Sequence, residues 1–184
     1  MNSEKTHFVA PVLSSAEAAQ RLSRKSWFSR SAVRPAKVEL VYLPYFLFQF
    51  QLRPPSGSKE YLAVDAISGD VAYHAPLSFE HAPLAPSLLL PFLVGADTCQ
   101  NLAIAWLRRS LMVAGLKESR TWSIQEVQCC GRMYYPYWVG YFKTRKSVRL
   151  DFIDAVSGRP QGPGVRRTIL QGLAALSACQ HSSF

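Results

Sequence analysis

The sequence predicts an α+β fold: an internally duplicated unit of one helix followed by antiparallel strands, arranged about a pseudo-twofold, with helices on an antiparallel sheet and a C-terminal helix. Three observations predict it. The heptapeptide "VDAISGD" at 64–70 returns as "IDAVSGR" at 153–159. Each copy trails a proline–aromatic cluster, "YLPYF" at 42–46 and "YYPYW" at 134–138, and each cluster trails a segment of helical character. Alignment places Tyr42 on Tyr134, Pro44 on Pro136, Tyr45 on Tyr137, Phe46 on Trp138, Asp65 on Asp154 and Gly69 on Gly158, which is the mark of a repeated supersecondary unit.

The elements follow in order. Ser14-Ser15-Ala16-Glu17 has the form of a capping box, with Leu13 placed to staple onto Ala18, so a helix starts there and runs towards Trp27 with Ala19 and Leu22 on its apolar face. From Val38 to Leu52 the period changes to two, and Val38, Leu40, Tyr42, Phe46, Phe48, Phe50 and Leu52 give a long strand one richly aromatic face. "RPPSGSKE" breaks the chain, "YLAVDA" pairs back as a hairpin, "ISGD" turns, and "VAYH" is a short third strand. The proline- and leucine-rich segment "HAPLAPSLLLPFLVG" joins the copies.

Asp97 to Gln100 caps a second helix from Asn101 to Ala114, with Ile104, Trp106, Leu107 and Leu111 as packing residues and Gly115 at its end. Strands resume over Ile124 to Cys130, break at Gly131, and continue through "RMYYPYWVGYF" to a turn at "KTRKS"; "VRLDFIDA" answers "YLAVDA". Val165 to Cys179, apolar at Val165, Ile169, Leu173 and Leu176, closes the chain as an amphipathic helix. The organisation is therefore a first repeat over 1–80, a connector over 81–96 and a second repeat with the last helix over 97–184, expected to form one compact unit.

The chain of 184 residues is 48% hydrophobic and 18% charged, which is enough apolar content for a core and too little charge for disorder. Its 21 Lys and Arg against 12 Asp and Glu give a net charge of +9, an attraction towards anionic partners. Four cysteines show no C-x-x-C spacing and no histidine neighbour, so reduced, mostly buried thiols are expected and a zinc site is not. The N-terminal residues lack the pattern of a secretion signal, and no stretch supplies the ~20 clean apolar residues of a spanning helix; the expected location is cytoplasmic.

The hairpin ends "VDAISGDV" and "IDAVSGR", following a helix and strands, resemble those of PepSY-type domains, small helix-plus-hairpin modules that finish with an aspartate, a small residue, a Ser or Thr and a glycine. The resemblance implies a noncatalytic binding or inhibitory module.

Residue chemistry points the same way. His7, His74, His81 and His181 are dispersed, no nucleophile elbow or metal motif accompanies them, and "GRPQGPG" lacks the N–H donors and the G-K-[ST] of a phosphate loop. No cofactor is expected. The favoured reading is a noncatalytic ligand- or protein-binding domain, with Tyr45, Tyr137, Trp138, Asp65 and Asp154 as its candidate site. A protein partner or homodimer would use a sheet edge or the tyrosine-bearing face of Tyr45, Tyr135, Tyr137 and Tyr141. The alternative is nucleic-acid binding, with Lys143, Arg145, Lys146 and Arg149 on phosphates. An enzyme comes third, with Asp65, Asp154, Tyr45, Tyr137 and His74 as its candidates. Asp-x-Ser-Gly also has an ordinary turn role, since the carboxylate accepts turn amides and the glycine takes a positive φ.

Overall fold

The computed structural model describes residues 6–25, 32–53, 59–73, 79–80, 82–118, 122–143 and 147–181. In chain order the elements are β1 (Thr6–Val9), α1 (Ser15–Leu22), β2 (Arg24–Lys25), β3 (Ala32–Val33), β4 (Lys37–Arg53), β5 (Lys59–Asp65), β6 (Val71–Tyr73), β7 (Phe79–Glu80), β8 (Ser87–Leu89), α2 (Ala96–Glu118), β9 (Ser123–Lys143), β10 (Val148–Asp154) and α3 (Pro163–His181). Among the described residues the fold is α+β, with three helices and a large mixed sheet. Two compact units are resolved: one built around Pro44–Ser78 and Phe92–Met133, the other around Phe8–Leu43, Phe79–Pro91 and Tyr134–Phe184. Each takes one half of β4 and one half of β9.

In the first unit β4 and β5 pair antiparallel from Tyr45↔Asp65 to Gln51↔Lys59, and β6 adds to β5 from Leu62↔Tyr73 to Val64↔Val71. The even-numbered face of β4 carries Phe46, Phe48, Phe50 and Leu52 into a cluster with Leu62, Val64 and Ala66, covered by Cys99, Ala103 and Leu107 of α2. Burying each large side chain contributes on the order of 1.5–3 kcal/mol, which is what holds so apolar a helix in place.

In the second unit β9 and β10 pair from Tyr137↔Asp154 to Lys143↔Val148, and β8 runs parallel to β4 from Leu40↔Ser87 to Tyr42↔Leu89. Here the cover is α1. Leu13, Ala18 and Leu22 cluster with Leu40, Tyr42, Trp138, Phe142, Ile153 and Ala155. A Cβ at Gly140 would meet the Leu22 side chain at 2.8 Å, so this glycine is what lets α1 lie close to β9.

The helix that precedes each aromatic strand in sequence therefore covers the other hairpin: α1 packs with β9 and β10, and α2 with β4 and β5. Both dockings use the same bonds. Leu93 and Val94 donate their amides to the Ala66 carbonyl at 2.8 Å each, and Val12 and Leu13 donate theirs to the Ala155 carbonyl at 2.9 Å each. Ala66 donates to the Pro44 carbonyl at 2.9 Å, and Ala155 to that of Pro136 at 3.1 Å. Gly69 and Gly158 close the turns at φ +80° and +70°, each donating to the carbonyl of its aspartate at 2.9 Å.

Several expectations change. α1 ends at Leu22, where the Ser23 amide and hydroxyl turn back onto the Ala19 carbonyl, and its buried face is Ala18 and Leu22. The capping box at Ser14 and Glu17 is formed as expected. α2 starts earlier, at Ala96, because Cys99 already donates to the Gly95 carbonyl, and it runs through Gly115, whose cost of about 1 kcal/mol inside a helix does not stop it. Gly131 does not interrupt its strand; at φ +127° it is absorbed within a continuous β9, a conformation that glycine alone takes readily. Cys129 and Cys130 are exposed, since from that end of β9 only Trp122, Ile124 and Val127 reach the apolar cluster.

Candidate ligand-binding cleft

The start of β4 lays Val38 and Leu40 side by side with Trp138 of β9, while β8 holds the connector Leu84–Leu88 along the same region. Between them opens a cleft of about 690 Å³, lined by Ser14, Ser15, Lys37–Leu40, Leu84–Leu88 and Trp138. That volume lies within the ~300–1,000 Å³ of small-molecule sites. Its walls are mostly apolar: Val38, Leu40, Leu84, Ala85, Pro86, Leu88 and the indole.

The polar lining is Ser14, Ser15, Ser87, Lys37 and Glu39, the last two alternating along β4 with Val38 and Leu40. Lys37 and Glu39 pair at 2.9 Å, the Tyr141 hydroxyl donates to Glu39 at 2.7 Å, and the Lys37 ammonium stands 5.4 Å from the centre of the Tyr141 ring. Burial raises the Glu39 carboxyl, but the Tyr141 and Lys37 hydrogen bonds outweigh it and hold the group below the usual carboxylate range. Burial, followed by the same bond, pushes the Tyr141 phenol up. Glu39 is thus a fixed anion, whereas the Lys37 side chain, 62% exposed, can turn towards a ligand. Two hydrogen bonds tie other lining residues to the core. The Trp138 indole donates to the Leu13 carbonyl at 3.0 Å, and the Leu84 amide donates to the Tyr42 hydroxyl at 3.3 Å, fastening the connector to the core.

The sequence-derived candidates separate. Trp138 lines the cleft. Tyr137 is buried, its ring centre 5.3 Å from that of Tyr135, and Tyr45 is half-buried at the end of the β4–β5 ladder opposite Asp65. Asp65 is buried and accepts the Ile67 amide at 2.7 Å, the Ser68 amide at 3.3 Å and the Ser68 hydroxyl at 2.9 Å. Asp154 accepts the Val156 amide at 2.8 Å, the Ser157 amide at 3.0 Å and the Tyr135 hydroxyl at 3.0 Å. Both carboxylates are engaged in organising their turns. Lys143 ends β9, exposed and paired with Val148, while Arg145, Lys146 and His74 lie outside the described residues.

Lys37, Glu39 and the connector Leu84–Leu88 were not legible as site residues. Their one signal is the proline-rich composition of the connector, which disfavours a regular ladder and leaves room beside the strand it follows. Among the described residues no group of three or more His, Cys, Asp and Glu could hold a metal ion, and no helix is long and apolar enough to cross a membrane. No known family model, curated protein or solved structure matches this chain.

Proposed function

We propose that the chain is a noncatalytic binding domain whose cleft takes a mainly apolar small ligand, with the polar end of that ligand at Lys37 and Glu39. The observation that carries the reading is the combination of a roomy, largely apolar cleft with one charged pair, Lys37 and Glu39, in its lining, and with wall residues held by hydrogen bonds from Trp138 and Leu84. Such a lining gives affinity through apolar area and orientation through a few polar groups. The two aspartates act as turn organisers within an internal duplication, a reading supported by the bond-for-bond match of the Ala66 and Ala155 turns. The likeness of the hairpin ends to PepSY-type modules fits a binding role.

A nuclear magnetic resonance screen of apolar fragments bearing one polar group tests this. The expected result is saturable shifts at the Trp138 indole N–H and at the amides of Ser15, Lys37–Leu40, Leu84, Ala85, Ser87 and Leu88. Shifts that appear only elsewhere would overturn the reading.

A further inference from the structure

The second unit carries another opening, unconnected with the cleft. A notch of about 110 Å³ lies against β10, lined by Leu150–Ile153, Pro160, Gln161, Arg21, Leu22 and Arg166. The two units differ after their matching turns. In the first, β6 continues along β5 until Tyr73 pairs with Leu62, and the Tyr73 ring meets that of Trp106 at 4.9 Å. In the second, the corresponding segment makes only the Ile153↔Pro160 bridge and the Gln161 amide's bond to the Phe152 carbonyl at 2.9 Å before Pro163 opens α3.

Neither guanidinium at the notch, Arg21 or Arg166, is held in a salt bridge among the described residues, although the Glu17 and Asp151 carboxylates stand nearby and keep their charge. Glu17, one turn from Arg21, is committed to Ser14, whose amide and hydroxyl donate to it at 2.9 and 2.7 Å. Asp151 is committed to Arg149 at 3.2 Å. Among the described residues Arg21 donates to the Gly158 carbonyl, at 3.3 Å, and Arg166 belongs to neither ion pair. The first turn of α3 contains no acidic residue, so Arg166 also stands against the positive end of its own helix. Cations are placed there at an electrostatic cost that an anion would offset.

We propose that this notch binds a single oxyanion group, a phosphate or a carboxylate, between Arg21 and Arg166. The notch is too small for a drug-sized molecule, whose sites run from about 300 Å³, and guanidinium is the group that recognises planar or tetrahedral oxyanions by paired hydrogen bonds. The oxyanion is either a free phosphate or the side chain of an extended acidic partner lying along β10.

The test uses the full chain, isotope-labelled, titrated with sodium phosphate and separately with a blocked aspartate-containing peptide, each against sodium chloride at equal ionic strength. The expected result is saturable shifts at Phe152, Gln161 and Arg166, weakened about tenfold in Arg166→Gln and in Arg21→Gln, the factor that loss of one charge-assisted hydrogen bond implies. Arg166 is exposed and in neither ion pair found among the described residues, so Arg166→Gln should melt like the parent, which separates loss of binding from loss of fold. Phosphate binding the tighter of the two assigns a free or esterified phosphate; the peptide binding the tighter assigns a partner's carboxylate. Shifts that follow ionic strength alone, or that survive both substitutions, would overturn the site.

Discussion

The indole nitrogen of Trp138 donates to the Leu13 carbonyl across 3.0 Å, joining β9 to the residue just before the cap of α1. Both residues are buried in one cluster, so the bond is shielded from water. Trp138→Phe keeps much of the apolar contact and orphans the Leu13 carbonyl. The expected loss is about 1–3 kcal/mol of unfolding free energy, read from the urea midpoint, because a buried acceptor without a partner keeps its full desolvation cost. An unchanged midpoint would show that the bond contributes nothing to docking α1.

Asp65 makes a pH-dependent prediction. Burial raises its carboxyl above the ordinary carboxylate value, against the hydrogen bonds from Ile67 and Ser68 that favour the charge. A folded pKa above the unfolded one means that the native state holds the proton more tightly, so this group's contribution is present below about pH 4 and is lost as pH rises through the raised value. Asp65→Asn retains an acceptor for the turn amides and removes the titration. Its melting temperature should gain on the parent between acid and neutral pH, while Asp65→Ala should lose about 1–3 kcal/mol throughout. A parent–Asn difference that does not vary with pH contradicts the assignment.

Gly158 holds φ +70° and sits beneath Arg21, whose guanidinium a Cβ at this position would strike. Gly158→Ala should cost about 1–2 kcal/mol from the left-handed backbone alone, with the displacement of Arg21 added. Gly162→Ala, with nothing within 4 Å of its Cβ, serves as the control and should melt like the parent. Thermal melts of the two variants separate the outcomes.

The cysteines should differ in reactivity. Cys99 is buried under α2 and its thiol is pushed up to about 11, by burial first and then by Asp65 and Cys129. Cys129 and Cys130 are exposed on β9. Burial also pushes the Cys130 thiol up, so alkylation followed by peptide mapping should label Cys129 fastest in the native protein, Cys130 more slowly and Cys99 only in denaturant, since the thiolate is the reacting species and needs access. Equal native rates at Cys99 and Cys129 would mean that α2 opens readily.

What the sequence revealed and what it hid have physical reasons. The period of two over Val38 to Leu52 and the Ser14–Glu17 box are local signals, and both elements appear where those signals lie. The turns at Asp65 and Asp154 were legible because their chemistry closes within four residues. The exchange of helices was not, since nothing local records whether Leu13 meets Ala66 or Ala155. Pro44 shows the same limit: it signals an irregularity, but only the structure shows it between two partner ladders, β8 at Leu40–Tyr42 and β5 from Tyr45 onward, where no N–H is required. The cleft joins a helix cap, a strand start and a connector 70 residues further on, so only its wall residue Trp138 stood out, through its place in the repeated aromatic cluster.

The central claim is that the cleft bounded by Trp138 and the connector is the site of binding. It is tested most directly by calorimetric titration of one cleft-binding apolar fragment into the parent and into Leu84→Trp, in which a larger side chain at a 53% exposed wall position fills the opening without entering the core. The account predicts that the substitution weakens binding by about tenfold or more, some 1.4 kcal/mol, with an unchanged melting temperature. Equal affinity for the two proteins would place binding elsewhere and contradict it.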